Sequence, residues 1–258
     1  MNLPDLHLIG SGRLAHSLAI AWEKAGGRIA SVWSRNSITG QALALKHNAS
    51  WLTKVNDARS PGWLMLAVKD EAVREIAASL SPQDDLLVLH ASGTLPLAVL
   101  SQHPRTAVLW PLQSMQLIGN DWTTIPLFIE AGIVTDMAEL QSISGRLSTQ
   151  LYSVTSQERL YYHLAAVMAG NFSNALYQSV FSMLTARGLD PKVLLPQLQA
   201  GLNGLMDEAP ATRQTGPAVR KDEQVMEQHL TLLAQLPELA ELYRIFSKLI
   251  QKQADSLR

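Results

Sequence analysis

The sequence predicts an α/β fold, a doubly wound and mostly parallel Rossmann-type sheet that is followed by an all-α C-terminal domain. Three observations support this. Short apolar runs alternate with amphipathic segments in the first half, a glycine-rich turn follows the first run, and the pattern is helical after about residue 155. We therefore expect one domain at residues 1–155 and a second at residues 156–258.

Buried strands are indicated by runs in which nearly every residue is apolar, as in a sheet covered on both faces. They lie at residues 6–10, 28–33, 63–68, 85–91, 106–110, 126–132 and 150–154. Between them, amphipathic segments predict the covering helices near 13–26, 36–47, 70–80, 95–102 and 134–148.

The second half predicts helices alone. Residues 157–186 contain no proline and only one glycine, and their apolar residues recur at helical spacing. A single helix of this length is typical of a domain spine or a dimer element. Further helices are expected near 191–206, 221–235 and 237–254.

Composition excludes several classes of function. With 47% apolar and 17% charged residues and a net charge of -1, the 258-residue chain has no basic surface for nucleic acid or anionic lipid. The absence of cysteine excludes disulfides, thiolate metal sites and thiol nucleophiles. No apolar run is long enough for a bilayer and no secretory signal precedes the first strand, so we expect a cytoplasmic protein without membrane contact.

The turn after the first strand fits the pattern G-x-G-x-x-A. Its residues are Gly10-Ser11-Gly12-Arg13-Leu14-Ala15. The first glycine makes the tight turn, the second lets the backbone approach a pyrophosphate, and the alanine permits close packing of helix on strand. The phosphate would lie on the helix N-terminus, where N–H groups and the dipole favour an anion. In this strand-turn-helix context the motif predicts a dinucleotide site.

The end of the second strand indicates which dinucleotide binds. NAD sites usually carry an acidic residue there for the ribose 2′-hydroxyl, whereas this chain has Ser34 and Arg35. A hydroxyl and a guanidinium suit a 2′-phosphate, so we predict NADP(H), although Arg35 as a solvated loop residue is the alternative. An S-adenosylmethionine methyltransferase would also normally need an acidic residue at this place.

Two further strand ends carry candidate site residues. Ala67 and Val68 are expected to line the cofactor ribose, and Asp70 could instead cap the following helix. The sequence His90-Ala91-Ser92-Gly93 follows another strand at the same edge, where ligands bind in open α/β sheets. We predict that Ser92 and Gly93 meet the nicotinamide or the substrate. His90 is assigned to the cofactor, with a hydrogen bond to the backbone as the alternative.

These motifs, together with WPLQSM (110–115), YYHLAAVMAGNFSNAL (161–176) and TGPAVRKDEQVMEQH (215–229), resemble those of a bacterial family. Its members have a Rossmann-like domain followed by a domain of unknown function, DUF2520. The family is similar in architecture to pyrroline-5-carboxylate reductases, ketopantoate reductases and β-hydroxyacid dehydrogenases. The resemblance spans nearly the whole chain and implies a second domain like the C-terminal domain of 6-phosphogluconate dehydrogenase.

The resemblance implies hydride transfer between NADP(H) and a small keto or imino acid, ketopantoate-like or pyrroline-like, at the domain interface. In the β-hydroxyacid relatives, a lysine and an asparagine on the long helix act on the acceptor. Asn171 falls near that asparagine, but the lysine position falls near Val167, which cannot donate a proton.

His163, eight residues before Asn171 and therefore about 80° and 12 Å away on a regular helix, is the alternative donor. Asn174 lies closer in phase to His163, about 20° away, and is assigned to the substrate. The alternative is that His163 and both asparagines form hydrogen bonds in a helical core.

Arg220, in a segment marked by Gly216 and Pro217, is a candidate for a substrate carboxylate, because its planar fork matches that anion. A surface salt bridge to an adjacent acidic residue is the alternative. The family tends to have histidine where Trp110 stands and glycine where Lys221 stands. If these positions touch the substrate, the departures predict a different substrate or a loss of activity.

Our leading hypothesis is thus an NADP(H)-dependent reductase with Asn171, His163 and Ser92 as catalytic residues, and a homodimer through residues 157–254. A non-catalytic NADP(H)-binding redox sensor or scaffold is the alternative. The seven histidines show no paired spacing for a metal, and the absence of G-x-S-x-G argues against a serine hydrolase.

Overall fold

The computed structural model describes residues 3–58 and 61–256. The chain forms two compact units, residues 1–169 and residues 170–258. The sequence predicts the domain boundary between residues 155 and 156, where the last strand ends. This prediction lies before the observed division, because the helix Ser156–Ala166 belongs to the first unit.

The first unit contains one eight-stranded sheet with the order β3-β2-β1-β4-β5-β6-β7-β8. The strands are β1 Leu6–Ile9, β2 Ile29–Trp33, β3 Ser50–Trp51, β4 Gly62–Leu66, β5 Leu86–His90, β6 Thr106–Pro111, β7 Leu127–Ala131 and β8 Leu151–Ser153. All neighbours are parallel except β6 and β7. The predicted fold class is confirmed, and the order reverses between β1 and β4, where open α/β sheets bind ligands. The two-residue strand β3 was not predicted, because it is too short to form a pattern.

Helices α1 to α5 accompany the sheet. They are α1 Arg13–Lys24, α2 Ser37–Lys46, α3 Asp70–Ser79, α4 Val134–Ser144 and α5 Ser156–Ala166. The prediction of a helix at 95–102 was wrong, since the segment forms only a 3₁₀ turn, Leu97–Leu100, after Pro96. Of residues 95–102, just Val99 and Leu100 are buried, and one short turn achieves this before the chain enters β6 at Thr106.

Both faces of the sheet are buried, which explains the continuous apolar runs. Leu8 packs in one apolar cluster with Trp22 and Trp63, whereas the next residue, Ile9, packs in a second cluster with Leu66. Successive side chains of a strand point to opposite faces, so a strand buried on both faces must be apolar at every position. The polar residues that follow the strands are therefore held at the edge of a rigid layer.

The long helical region is not one regular helix. Between α5 and α6 Ser173–Thr185, residues Val167–Phe172 form a π-helical segment. A π turn contains more residues than an α turn, so the helical phases expected for His163, Asn171 and Asn174 on a regular helix no longer apply. The division between the two units, after Ala169, falls within this segment.

The second unit consists of helices. After α6 come α7 Leu195–Gly204, α8 Pro210–Arg213, α9 Pro217–Arg220, α10 Glu223–Leu232 and α11 Pro237–Ser256, and a 3₁₀ turn, Pro191–Leu194, precedes α7. Of the residues described here, just Gly204, Ala218 and Ala240 are buried. Within residues 3–58 and 61–256, no helix combines the length and apolarity that a membrane crossing requires. In the same residues, no three or more His, Asp or Glu side chains lie together so that they could hold a metal ion.

Candidate functional site

The glycine loop between β1 and α1 contains two glycines with different functions. Gly10 has a φ of +120°, and a Cβ there would lie 2.3 Å from the carbonyl oxygen of Ala67, so packing and backbone both require glycine. Gly12 has an ordinary φ of -81°, and a Cβ there would meet nothing within 4 Å. The protein itself therefore does not need the second glycine. Its bare backbone leaves room for something that approaches from outside.

The N-terminus of α1 is open beside Gly12. No side chain caps this helix, and its first turn contains no acidic residue. The first N–H groups of a helix have no partner within it, and together with the helix dipole they favour an anion. The loop and the helix end thus form a cradle suited to a phosphate group.

Hydroxyl groups connect this loop to the end of β2. The Ser11 Oγ lies 2.9 Å from the Ser34 Oγ and 2.7 Å from the Thr39 Oγ1. The exposed side chain of Arg35 follows Ser34 and has no hydrogen bond or ion pair with any residue that the structure describes. A charged fork and a hydroxyl are therefore available next to the phosphate cradle.

A cavity of about 470 Å³ lies along these groups, and we call it the glycine-loop cavity. Its volume is typical of ligand sites. Its lining residues come from the loop, the start of α1, the ends of β2 and β4, and one side of α3, and they include Gly10, Ser11, Gly12, Arg13, Leu14, Ser34, Arg35, Ala67 and Val68. The structure thus brings together all but two of the residues predicted to bind the cofactor. The exceptions are Ala15, which is buried behind the loop as its packing role requires, and His90.

A second cavity, of about 350 Å³, shares Arg13 and Leu14 with the first. We call it the Trp110 cavity. Its other lining residues are Ala91, Trp110, Pro111, Gln113, Ser114 and Met115, which follow β5 and end or follow β6. The two cavities therefore have the first two residues of α1 as a common part of their walls.

The Ser92 hydroxyl is saturated by hydrogen bonds within the chain. It donates to Asp70 Oδ2 at 2.7 Å and accepts from the backbone N–H groups of Thr94, at 3.0 Å, and Leu95, at 2.9 Å. A hydroxyl has one proton and two lone pairs, so none is left for a substrate. The predicted catalytic role of Ser92 does not fit these bonds, and Ser92 instead shapes the loop. Asp70, the first residue of α3 rather than its cap, holds this hydroxyl in place.

His90 is fully buried and does not line either cavity. Its Nδ1 accepts the backbone N–H of Ser92 at 3.1 Å, so the alternative reading of His90, a backbone partner, describes it better than cofactor contact. Burial, and next the charge of Arg159, lower the pKa of His90 to about 4. The ring is therefore neutral at physiological pH and acts as an acceptor that fixes the start of the loop.

Gly93, Trp110 and His163 converge at one point. A Cβ on Gly93 would lie 2.6 Å from the His163 Cδ2 and 2.9 Å from two atoms of the Trp110 ring, Cε2 and Cζ2. The His163 and Trp110 rings lie 5.8 Å apart between centroids. Glycine at position 93 is thus required by this close approach, and half-buried His163 packs on Trp110, a lining residue of the Trp110 cavity.

Arg159 on α5 is a residue that sequence reasoning missed. It is fully buried, pairs with Glu130 on β7, and donates from Nε to the Ser92 carbonyl at 3.1 Å and from Nη2 to the Leu95 carbonyl. It therefore clamps both ends of the loop that contains Gly93. The sequence gives little signal for it, because an arginine on an amphipathic helix usually faces solvent.

The predicted site residues of the second unit are all exposed. Asn171 and Asn174 form no side-chain hydrogen bond with the described residues, which contradicts the alternative that they stabilise a helical core. Arg220 likewise has no ion pair there, so the alternative of a surface salt bridge to an adjacent acidic residue is not seen among the described residues. The ligand roles proposed for these three residues stay predictions.

Lys221 has a backbone explanation. It ends α9 with a φ of +55°, in the left-handed region, and its Nζ lies 3.0 Å from Asp255 Oδ1. Glycine adopts this conformation without strain and commonly follows helices. The glycine of the resembled family at this position is thus accounted for by the turn, with no need for a substrate contact.

Comparison with known proteins adds two family matches. Residues 5–92 match the family described as NADP oxidoreductase coenzyme F420-dependent, and residues 125–250 match the domain of unknown function DUF2520. No curated protein matches the chain.

Solved structures match nearly the whole chain. A protein from Bacteroides fragilis, provisionally described as an NADP oxidoreductase, is 32% identical with a TM-score of 0.85, over 97% of this chain and 98% of that chain. The reductive aminase from Aspergillus terreus, in complex with NADPH and ethyl-5-oxohexanoate, is 17% identical with a TM-score of 0.73 over 100% of both chains. An imine reductase from Pseudomonas sp. is 18% identical with a TM-score of 0.71, over 97% of this chain and 94% of that chain. The last two show a shared fold alone.

Proposed function

Because the chain belongs to the NADP oxidoreductase family in which a Rossmann-type domain precedes the domain DUF2520, we propose that it reduces a small keto or imino acid with NADPH. The family assignment confirms the predicted cofactor, NADP(H). One observation carries the proposal of an active reductase. The glycine-loop cavity shares Arg13 and Leu14 with a second cavity, which is lined by Trp110 with His163 packed on it.

The residues of the glycine-loop cavity fit NADP(H). The open backbone at Gly12 and the uncapped N-terminus of α1 would hold the pyrophosphate, and Ser34 and Arg35 would hold the 2′-phosphate. The ends of β1 and β4, at Gly10 and Ala67, would line the ribose side. When bound, NADPH supplies the hydride.

The chain's own residues would orient the acceptor and supply a proton. His163 is the proposed proton source, because it is half-buried beside the Trp110 cavity. Asp70, His90 and Arg159 fix the loop on which Gly93 gives His163 and Trp110 their space. The role of Asn171 as an orienting group, and those of Asn174 and Arg220 toward the substrate, are proposals that rest on the family resemblance.

A substrate screen tests this function. NADPH consumption is followed with a panel of 2-oxo acids and cyclic imino acids, for the wild type, His163→Ala and Asn171→Ala. A positioned acid contributes about 10²–10⁴-fold, so each variant should lower kcat at least about a hundredfold while NADPH affinity by calorimetry is nearly unchanged.

Other outcomes point elsewhere. Full activity of both variants would remove these residues from the mechanism. Firm NADPH binding without turnover of any keto or imino acid would favour the redox sensor or scaffold. The cytoplasmic location expected from the sequence stays a prediction.

We also propose a homodimer through the helical region at residues 157–254. Among the described residues of the second unit, large apolar side chains such as Phe172, Met206 and Phe246 are exposed, and a unit with three buried residues has almost no core of its own. Exposed apolar surface of this extent is usually covered by a partner. Light scattering at micromolar concentration should give the mass of a dimer, and Phe246→Asp should shift it toward the monomer. A monomeric wild type would refute the proposal.

A further inference from the structure

Trp110 is a largely buried residue whose indole N–H has no acceptor among the described residues. It is the penultimate residue of β6, where the sheet holds it, it packs on Phe128 at 5.2 Å between ring centroids, and it is only 8% exposed. Its indole N–H forms no hydrogen bond with any described residue. Tryptophan N–H groups usually find a partner within the protein when they are buried, so this one is left for water or a ligand.

The other fully or nearly buried tryptophans of the first unit show the contrast. Trp22 donates to the Pro4 carbonyl at 3.2 Å, Trp63 to Glu139 at 2.7 Å and Trp122 to Ser17 at 2.8 Å. The Trp110 nitrogen is not sealed in the core either, because it is not among the inaccessible polar atoms without partners. The residue lines the Trp110 cavity, and this cavity is where a bound molecule would meet the N–H.

The charges around the cavity restrict what that molecule can be. Arg13 is the only charged residue among the described residues that line it, and no carboxylate does. The acidic residues that contact the loop or its clamp already have partners, since Asp70 accepts from Ser92 and Thr94 and Glu130 pairs with Arg159. A cation bound here would face a positive side chain and lack a counter-ion, which is unfavourable in a partly desolvated site.

We propose that the Trp110 indole N–H donates a hydrogen bond to the oxygen of the reacting group, and that this group is a neutral carbonyl rather than a protonated imine. The inference rests on the proposed function. A carbonyl oxygen has lone pairs that accept the indole proton, whereas a protonated imine nitrogen carries a proton and has no lone pair left. The substrate class is therefore a 2-oxo acid, and Trp110 selects it.

The reaction balances as an ordinary carbonyl reduction. The carbonyl carbon receives a hydride from NADPH, the C=O π pair moves to oxygen, and that oxygen takes a proton from His163, giving an alcohol and NADP⁺. The hydrogen bond from Trp110 strengthens as negative charge grows on the oxygen, so it stabilises the transition state more than the bound substrate.

The test compares 2-oxopentanoate with 1-pyrroline-2-carboxylate, which share a five-carbon skeleton. We expect the oxo acid to be reduced with a kcat/KM at least about tenfold higher than the imino acid. Trp110→Phe keeps an aromatic ring but loses the N–H, and should lower kcat/KM for the oxo acid about ten- to a hundredfold while NADPH affinity is unchanged. Trp122→Phe is the matched control, because its N–H is bonded within the protein, and should leave kcat/KM unchanged.

A second readout does not depend on turnover. In the complex with NADP⁺, which cannot reduce either compound, the ¹⁵N-labelled indole N–H signal of Trp110 is identified by its loss in Trp110→Phe. Adding 2-oxopentanoate should shift that proton downfield, and adding 1-pyrroline-2-carboxylate should not.

Preference for the imino acid, or equal losses for both compounds in Trp110→Phe, would overturn the role of Trp110 and leave the reductase function standing. If neither these two compounds nor any other member of the panel is reduced, the proposed function fails, and the indole signal alone decides whether Trp110 binds a carbonyl. An unshifted signal would overturn that binding.

Discussion

Arg159→Met is the sharpest test of how the loop at residues 90–95 is built. The substitution keeps much of the side-chain volume and removes the guanidinium. The Glu130 carboxylate, 17% exposed, then loses its counter-ion, and the carbonyls of Ser92 and Leu95 lose donors.

Removing one partner of a buried ion pair costs about 3–5 kcal/mol, because it leaves the other charge buried and unpaired. Here Ser156 still donates to Glu130 at 2.8 Å, which places the expected loss at the lower end, about 3 kcal/mol. For a domain of this size, a loss of that magnitude lowers Tm by about 6–12 °C.

The assay is thermal unfolding at a fixed protein concentration, since the Tm of an oligomer depends on concentration. Glu130→Gln together with Arg159→Met removes both charges and should recover a large part of the loss. NADPH affinity should change little, whereas turnover should fall because the loop under Trp110 is no longer fixed. A single variant within 1 °C of the wild type, or a double variant no more stable than the single one, would refute the account of Arg159 as a clamp.

Three further predictions concern the cofactor site and pH. Gly12→Ala should keep the Tm of the wild type, because a Cβ there has open space. The same Cβ should lower NADPH affinity at least about tenfold, because it occupies the approach to the pyrophosphate. An unchanged calorimetric affinity would contradict this. Arg35→Ala should likewise lower affinity for NADPH about tenfold or more but not for NADH, and a wild type that binds both equally would remove the basis for the NADP(H) preference. The pKa of His90 falls from 6.5 to about 4 on folding, so the unfolded chain binds the proton at a higher pH than the folded chain does. The free energy of unfolding should therefore decrease as pH falls from 6.5 toward 4, by about 3 kcal/mol in total. His90→Asn, whose side-chain oxygen can accept the Ser92 N–H, should make unfolding measured by urea less sensitive to pH in that window.

The fold was predictable because each strand is buried on two faces. A run such as that around Leu8 and Leu64 has to be apolar at every position, and this pattern differs from that of any surface segment. Two elements were not predicted, because no pattern of buried residues marks them in the sequence. Strand β3 has two residues, and the π segment Val167–Phe172 preserves a helical apolar pattern while changing its phase.

The phosphate cradle was predictable for a similar reason, since Gly10 and Gly12 act through the backbone and leave a motif in the sequence. The clamps of the neighbouring loop act through long-range side-chain bonds. Ser92 and Asp70 are 22 residues apart, and Arg159 is 67 residues from Ser92. No spacing rule connects such residues, so the sequence indicated Ser92 as a free hydroxyl when its bonds are already made.

The hydrogen bonds of Ser92 explain how the loop at residues 90–95 contributes to selectivity. His90, Asp70 and Arg159 together satisfy the Ser92 N–H, hydroxyl and carbonyl. A loop whose central residue has its N–H, hydroxyl and carbonyl paired within the protein cannot rearrange cheaply to follow a ligand, because each bond broken would leave a group unpaired. The space over Gly93 is thus fixed before a substrate arrives, and selectivity passes to the Trp110 N–H, which is left without an acceptor. Fixed donors that need no reorganisation are what stabilise a developing oxyanion most effectively. If the loop instead proved mobile, with rapid hydrogen exchange at Thr94 and Leu95 in the wild type, this account of selectivity would fail even with Arg159 in place.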